Sequence, residues 1–183
     1  QNGAYFITIC TKNRECFFGN INNGKMQLSE IGKIVAEEWQ KKAEIRENIE
    51  LGEWIVMPNH VHGILIICND DETDCRDVLT DRRDVLTKRL YGETENELLI
   101  RSKKYNGDHP QMSQISPTKN SISNAIKFFK RQTTIRSREI NPEFIWQSRF
   151  HDHIIRDEKS YQTIAEYIIH NPERWQEDKF YME

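Results

Sequence analysis

Two histidines two residues apart are the first feature of the sequence that could support chemistry. His60 and His62 stand in the segment PNHVH at 58–62, inside an apolar run that continues to Ile67. Residues two apart on a β-strand project from the same face, which would hold the two Cβ atoms about 6–7 Å apart. A single histidine in such a strand is more often a hydrogen-bonded core residue. Two on one face favour a shared metal ion.

Two imidazoles leave a divalent metal underligated, so a third group must come from elsewhere in the chain. The last predicted helix carries Tyr167 and Asn171, which are four residues apart and therefore on one face. That face borders the apolar stripe formed by Ile164 and Ile168. A helix packed on the histidine-bearing sheet would bring a phenol, which can act as a nucleophile, and an amide to the metal. The alternatives are a rim aromatic and a helix cap before Pro172.

A second histidine pair with the same spacing is His151 and His153. It lies on a predicted strand and could also bind a metal. Charged neighbours surround it, so one or both imidazoles would face solvent or pair with Asp152. We therefore rank this pair second.

The elements that must position these groups alternate between strand and helix. Apolar and β-branched runs predict strands at 5–10, 49–57, 60–68 and 150–155. Apolar residues at helical spacing predict helices at about 29–43, 118–138 and 157–170. Several strands follow one another without room for a parallel crossover. The pattern therefore predicts an α+β fold with a mainly antiparallel sheet.

The net charge of −3 hides an uneven distribution. Residues 101–138 carry nine basic side chains and one acidic side chain, whereas residues 70–100 carry ten acidic and five basic ones. Lys127, Lys130 and Arg131 share one side of the predicted helix, a surface that could contact nucleic-acid phosphates. An ordinary solvated helix face is the simpler explanation of these charges taken alone. The small net charge therefore does not exclude a nucleic-acid partner.

The length of 183 residues predicts a single domain that needs neither disulfides nor a structural metal. The four cysteines show no C-x-x-C spacing, and no apolar run could span a membrane, so we expect a cytoplasmic protein with reduced thiols. Residues 70–117 contain a duplicated RDVLT motif, in RDVLTDR at 76–82 and RDVLTKR at 83–89. We expect them to form a surface insertion within a domain that spans 1–183.

Together these segments resemble a known family, the HUH-type single-tyrosine transposases, and most closely the REP-associated tyrosine transposases of bacteria. The matching pieces are GAYFITICTKNRECFFG, WIVMPNHVHGILII, ISNAIKFFK and IWQSRFHDHIIRDEKSYQTIAEYIIHNPERW. The combination of PNHVH, WQSRF and a later Y-I-x-x-N-P is specific. Residues 70–117 fall outside the resemblance.

The resemblance implies a ferredoxin-like sheet with helices packed on the active-site face. His60 and His62 would be the two-histidine metal motif, Tyr167 the nucleophile, and Asn171 the third ligand of Mg²⁺ or Mn²⁺. The implied reaction is cleavage and rejoining of single-stranded DNA through a 5′-phosphotyrosine. The substrate would carry a hairpin such as a repetitive extragenic palindrome, and the enzyme would be a monomer or a homodimer.

Three other functions stay open on the sequence. The same chemistry serves replication-type and plasmid-type nickases. A domesticated nucleic-acid-binding protein could retain the motif as a silent site. A zinc hydrolase would need a third histidine or carboxylate ligand and would leave Tyr167 without a role.

Overall fold

The computed structural model describes residues 3–45, 48–67 and 121–181. These residues contain the strands β1 (Gly3–Cys10), β2 (Gly19–Asn22), β3 (Lys25–Leu28), β4 (Ile49–Val56), β5 (His60–Ile67) and β6 (His151–Ile155). The helices are α1 (Glu30–Ile45), α2 (Ile122–Ile140) and α3 (Glu158–His170), and a 3-10 segment follows at Asn171–Glu177. The predicted insertion at 70–117 lies outside the described residues.

The main sheet has the strand order β4-β5-β1-β6, and each neighbouring pair is antiparallel. Strands β2 and β3 form a separate hairpin whose turn, Asn23-Gly24, has two positive φ angles. Without this hairpin, the chain order β1-α1-β4-β5-α2-β6 is the ferredoxin-like arrangement. The predicted α+β class with an antiparallel sheet is confirmed.

The helices lie on both faces of the sheet. Residues 61, 65 and 67 of β5 pack with α1 and α2 in one core cluster, and residues 64 and 66 pack with α3 in another. Because β-α-β crossovers are right-handed, both crossover helices, α1 and α2, lie on the same side. Among the described helices, α3 packs on the histidine face together with the 3-10 segment. All eight residues of β5 are buried, as an apolar run in a central strand predicts.

The helices begin at side-chain caps. Ser29 accepts a hydrogen bond from the backbone N–H of Gly32 (3.0 Å), and Asp157 accepts one from that of Ser160 (2.8 Å). Helix α2 is capped by Ser121, which accepts a hydrogen bond from the backbone N–H of Asn124. The start predicted for it, at 118, lies outside the described residues. None of the helices within the described ranges is long and apolar enough to cross a membrane.

Candidate metal centre and nucleophile

The two histidines of β5 share the sheet face that α3 covers. Both are buried, His60 at 0% and His62 at 1% exposure, and their ring centroids are 4.4 Å apart. Their partners across β1 are Cys10 and Thr8. The alternation of a central strand therefore places two imidazoles side by side in the interior, as the spacing predicts.

A hydrogen bond orients each imidazole. Thr8 Oγ1 lies 2.9 Å from Nδ1 of His62, and Asn59 Oδ1 lies 2.8 Å from Nδ1 of His60. The amide nitrogen of Asn59 donates to the carbonyls of Arg14 and Phe180, which leaves its Oδ1 as an acceptor. His60 must then carry its proton on Nδ1, and its Nε2 is an unprotonated acceptor. This Nε2 is buried and has no hydrogen-bond partner among the described residues.

Burial keeps both histidines neutral. It lowers the pKa of His60 to about 3, and the charges of Lys179 and Arg14 act in the same direction. Burial also lowers the pKa of His62 well below its usual value, helped by His60 and opposed by the Asp178 carboxylate. A neutral imidazole is the form that binds a metal, so the pair is ready for ligation at physiological pH.

Helix α3 brings Tyr167 and Asn171 to the histidines. The Tyr167 hydroxyl lies 3.4 Å from Nε2 of His62, although the ring of the tyrosine is 41% exposed. Asn171 is buried directly after the helix, and its Oδ1 has no partner within the described part of the chain. The spacing of four residues thus places the side chains of Tyr167 and Asn171 on the same side of the helix, next to the histidines. The structure brings together all four residues that the sequence indicated for the metal and the nucleophile.

Asp178 is a member of this cluster that sequence reasoning missed. Its Oδ2 accepts hydrogen bonds from the Tyr167 hydroxyl (3.2 Å) and from Nδ2 of Asn171 (3.0 Å). The ligand atoms of His60, His62 and Asp178 all lie within 4.8 Å of one another. Asp178 follows the 3-10 segment, where no periodic pattern marks a residue that faces the interior. An acidic residue in a turn gives no signal of its own.

These residues fit a divalent cation. Two neutral imidazoles and a carboxylate form a common mixed nitrogen and oxygen ligand set. The unpaired Nε2 of His60 and Oδ1 of Asn171 are acceptor atoms, and a buried acceptor without a donor is unfavourable. A bound cation would give such acceptor atoms a partner.

The Tyr167 hydroxyl is protonated in this arrangement. Burial raises its pKa to about 12, and the nearby Asp178 carboxylate acts in the same direction. A phenol in this state is a weak nucleophile until positive charge is placed beside it.

Aromatic and cationic groups line the rim of the site. Phe6 stacks on His62 with 5.1 Å between centroids, and Phe180 lies 4.6 Å from the ring of His60. Arg14 and Lys179 each lie about 5 Å from the Phe180 ring, at 5.0 and 4.8 Å. A phosphate that approached the histidines would thus meet two positive charges.

The three predicted DNA contacts lie away from this cluster. They are on α2, which packs on the opposite face of the sheet. Lys127 and Arg131 are exposed, whereas Lys130 donates to the carbonyls of Gln147 (2.7 Å) and Arg149 (2.9 Å). Burial lowers the pKa of Lys130 to about 8, in keeping with a structural role for this lysine.

The second histidine pair does not assemble a site. His151 and His153 are exposed on β6, at the edge of the sheet. Within the described ranges, no further histidine, cysteine or carboxylate completes a group of three around them.

Comparisons with known proteins agree with this fold. A Haemophilus influenzae protein, described only as uncharacterized, is 35% identical over 184 residues, which cover 100% of this chain and 87% of that protein. A REP-associated tyrosine transposase, solved bound to a REP hairpin, superposes with a TM-score of 0.56 and 20% identity. This match covers 98% of this chain and 72% of the transposase. None of the known protein-family models matches the chain. The chain therefore belongs to one family with the Haemophilus influenzae protein, and its fold is that of the REP-associated tyrosine transposase that its motifs resemble.

Proposed function

We propose that the protein is a metal-dependent enzyme that cleaves and rejoins single-stranded DNA through a covalent tyrosine intermediate. The observation that carries the proposal is the position of the Tyr167 hydroxyl, 3.4 Å from Nε2 of His62 and beside the candidate ligands. A nucleophile next to a buried, neutral metal-binding pair is the arrangement that phosphoryl transfer needs.

The covalent intermediate conserves the energy of the phosphodiester bond that is cleaved. Tyr167 Oη attacks phosphorus and forms a phosphotyrosine with the 5′ end, while the bond from phosphorus to the 3′ oxygen breaks. The proton of the tyrosine hydroxyl ends on the released 3′ oxygen, and the reverse steps rejoin a strand without ATP. His60, His62 and Asn171 would hold a cation that would supply charge stabilisation at the phosphate, and Mg²⁺ and Mn²⁺ are the expected ions.

The proposed substrate is a single strand that carries a hairpin. The transposase with the same fold was solved with such a hairpin, and the motifs of this chain resemble that family. Arg14 and Lys179 at the rim of the site are the nearest candidates for phosphate contacts. Lys127, Lys130 and Arg131 remain proposed contacts for strand segments farther from the site.

A monomer suffices for this chemistry because the tyrosine and the histidines come from one chain. A homodimer is the other proposed state, and we place the enzyme in the cytoplasm, where its DNA substrate lies.

The decisive experiment incubates the protein with Mn²⁺ and a labelled hairpin-bearing strand. The wild type should form a protein–DNA adduct that survives denaturation, and Tyr167→Phe should form none. Tyr161→Phe is the matched control, since Tyr161 lies on the same helix but donates to Glu53 at 2.6 Å. Equal nicking by the wild type and Tyr167→Phe would contradict the mechanism.

Asp178 also favours a second candidate function. A carboxylate beside two histidines is the ligand set that a hydrolase using water as the nucleophile would need. Such an enzyme would cleave its substrate without forming an adduct and would remain active as Tyr167→Phe. The same assay therefore separates the two functions.

A further inference from the structure

The Tyr167 hydroxyl lies between two of the candidate ligands. It is 3.4 Å from Nε2 of His62 and 3.2 Å from Oδ2 of Asp178. Both atoms belong to the group whose ligand atoms lie within 4.8 Å of one another. The hydroxyl thus fills a position that a cation bound to His62 and Asp178 would need.

The other two polar atoms of the cluster are unpaired. Nε2 of His60 and Oδ1 of Asn171 are buried and have no hydrogen-bond partner among the described residues. Tyr167 therefore satisfies one half of the cluster and leaves the other half unsatisfied. A cation in the cluster could give Nε2 of His60 a partner, which the tyrosine does not do in this position.

The carboxylate of Asp178 is held in place by its own segment. Its Oδ1 accepts the backbone N–H of Phe180 at 2.7 Å, so Oδ2 is the oxygen left for the site. The carbonyl of Phe180 accepts Nδ2 of Asn59 at 2.8 Å, which ties the segment to the β4–β5 turn. The N–H of Asp178 bonds to the carbonyl of Trp175 at 3.1 Å. A ligand fixed in this way needs little rearrangement to bind a cation.

We propose that Asp178 is a ligand of the cation together with His60 and His62, and that Tyr167 bonds to His62 and Asp178 only when the cation is absent. This inference rests on the proposed metal dependence. Cation binding and the hydrogen bonds of Tyr167 to His62 and Asp178 exclude each other. Binding of the cation therefore releases the tyrosine hydroxyl, which can then face a phosphate. Asn171, whose Nδ2 donates to Asp178, then orients the carboxylate as well.

The test measures Mn²⁺ binding to the full chain without DNA, by electron paramagnetic resonance of free Mn²⁺. Asp178→Asn keeps the shape of the side chain but removes its charge and should weaken binding at least about tenfold. Tyr167→Phe should bind Mn²⁺ at least as tightly as the wild type because it removes the competing hydroxyl. Glu177→Gln, a change to the exposed neighbouring acid, should leave the affinity unchanged.

Unchanged affinity in Asp178→Asn, or a tenfold loss in Tyr167→Phe, would overturn the inference. Thermal unfolding with and without Mn²⁺ guards against a variant that is merely less stable. Mn²⁺ should raise the midpoint of the wild type more than that of Asp178→Asn. A wild type that binds Mn²⁺ but forms no adduct would contradict the proposed function alone. An adduct-forming enzyme with normal binding in Asp178→Asn would contradict this inference alone.

Discussion

At the scale of single residues, the site depends on imidazoles whose orientation is set by neighbours outside the ligand group. Thr8 holds Nδ1 of His62 and Asn59 holds Nδ1 of His60, at 2.9 and 2.8 Å. Such supporting contacts decide which nitrogen of an imidazole is free to bind a metal. The sequence indicates the histidines but not these partners, because Thr8 is distant in the chain and meets His62 only through strand pairing.

Replacing Thr8 with valine tests this support. The variant keeps the shape of the side chain but removes the hydroxyl that bonds to His62, so Mn²⁺ affinity should fall about tenfold. Titration calorimetry measures the effect. Thr163→Val, which changes an exposed hydroxyl on α3 that bonds to the carbonyl of Lys159, should bind Mn²⁺ like the wild type. A Thr8→Val protein with normal affinity would show that packing alone orients the ring.

The buried histidines also predict how stability depends on pH. Free histidine titrates near 6.5, whereas burial holds the pKa of His60 at about 3 in the folded protein. Between these values the unfolded chain binds more protons, so the stabilisation is complete above about pH 6.5 and is lost as the pH falls toward about 3. As the pH falls through this range, His60 should lower the free energy of unfolding by about 1.4 kcal/mol per pH unit. The buried His62 acts in the same direction.

Urea unfolding in a chelator, from about pH 8 to about pH 5, measures this slope. His60→Gln should flatten it because the variant has no group to protonate at this position. His153→Gln, a change to an exposed histidine of β6, should keep the slope of the wild type. Identical slopes for all three proteins would contradict the inference that His60 is neutral.

At the scale of the elements, local patterns account for much of the fold. An apolar run with two histidines predicts β5, and a period of 3.6 predicts α3, because both signals are contained in a few neighbouring residues. Local patterns do not predict the position of Asp178. It depends on the kink at Arg174 and on the hydrogen bond from Asn59 to the Phe180 carbonyl. Charge alone could not show that Lys130 binds backbone carbonyls.

The positive charges at the rim of the site, Arg14 and Lys179, lead to a further prediction. Lys179 is exposed beside the site, so Lys179→Gln should weaken binding of single-stranded DNA of any sequence. The slope of log affinity against log salt should become shallower by about 0.7 for one lost phosphate contact. Lys33→Gln, a change to an exposed lysine of α1, is the matched control. An unchanged salt slope in Lys179→Gln would show that Lys179 does not contact the DNA.

The proposed contacts on α2 can be measured in the same assay. Lys127→Gln combined with Arg131→Gln removes two exposed charges from the face of the molecule opposite the histidines. A shallower salt slope would show that the strand also passes over α2. A slope like that of the wild type would assign these charges to an ordinary solvated surface.

At the scale of the whole molecule, the net charge of −3 says little about the partner. Arg14 and Lys179 lie 5.0 and 4.8 Å from the ring of Phe180, which packs against His60. Salt screens exposed charges that are separated by more than about 8–10 Å. The fold concentrates these groups because the segment after α3 turns back onto the sheet. Local charge around the site, rather than the sum over the chain, decides whether DNA can bind.

The arrangement of the whole chain predicts that each molecule carries a complete site. The Tyr167 hydroxyl and Nε2 of His62 are 3.4 Å apart within one chain, so the tyrosine should act on a strand bound by its own histidines. A mixture of Tyr167→Phe and His60→Gln chains should then form no adduct with a hairpin-bearing strand, because neither chain holds both the nucleophile and an intact ligand pair. When either variant is mixed with the wild type, the amount of adduct should be proportional to the amount of wild-type protein. An adduct from the two variants together would show instead that two chains exchange their tyrosine helices.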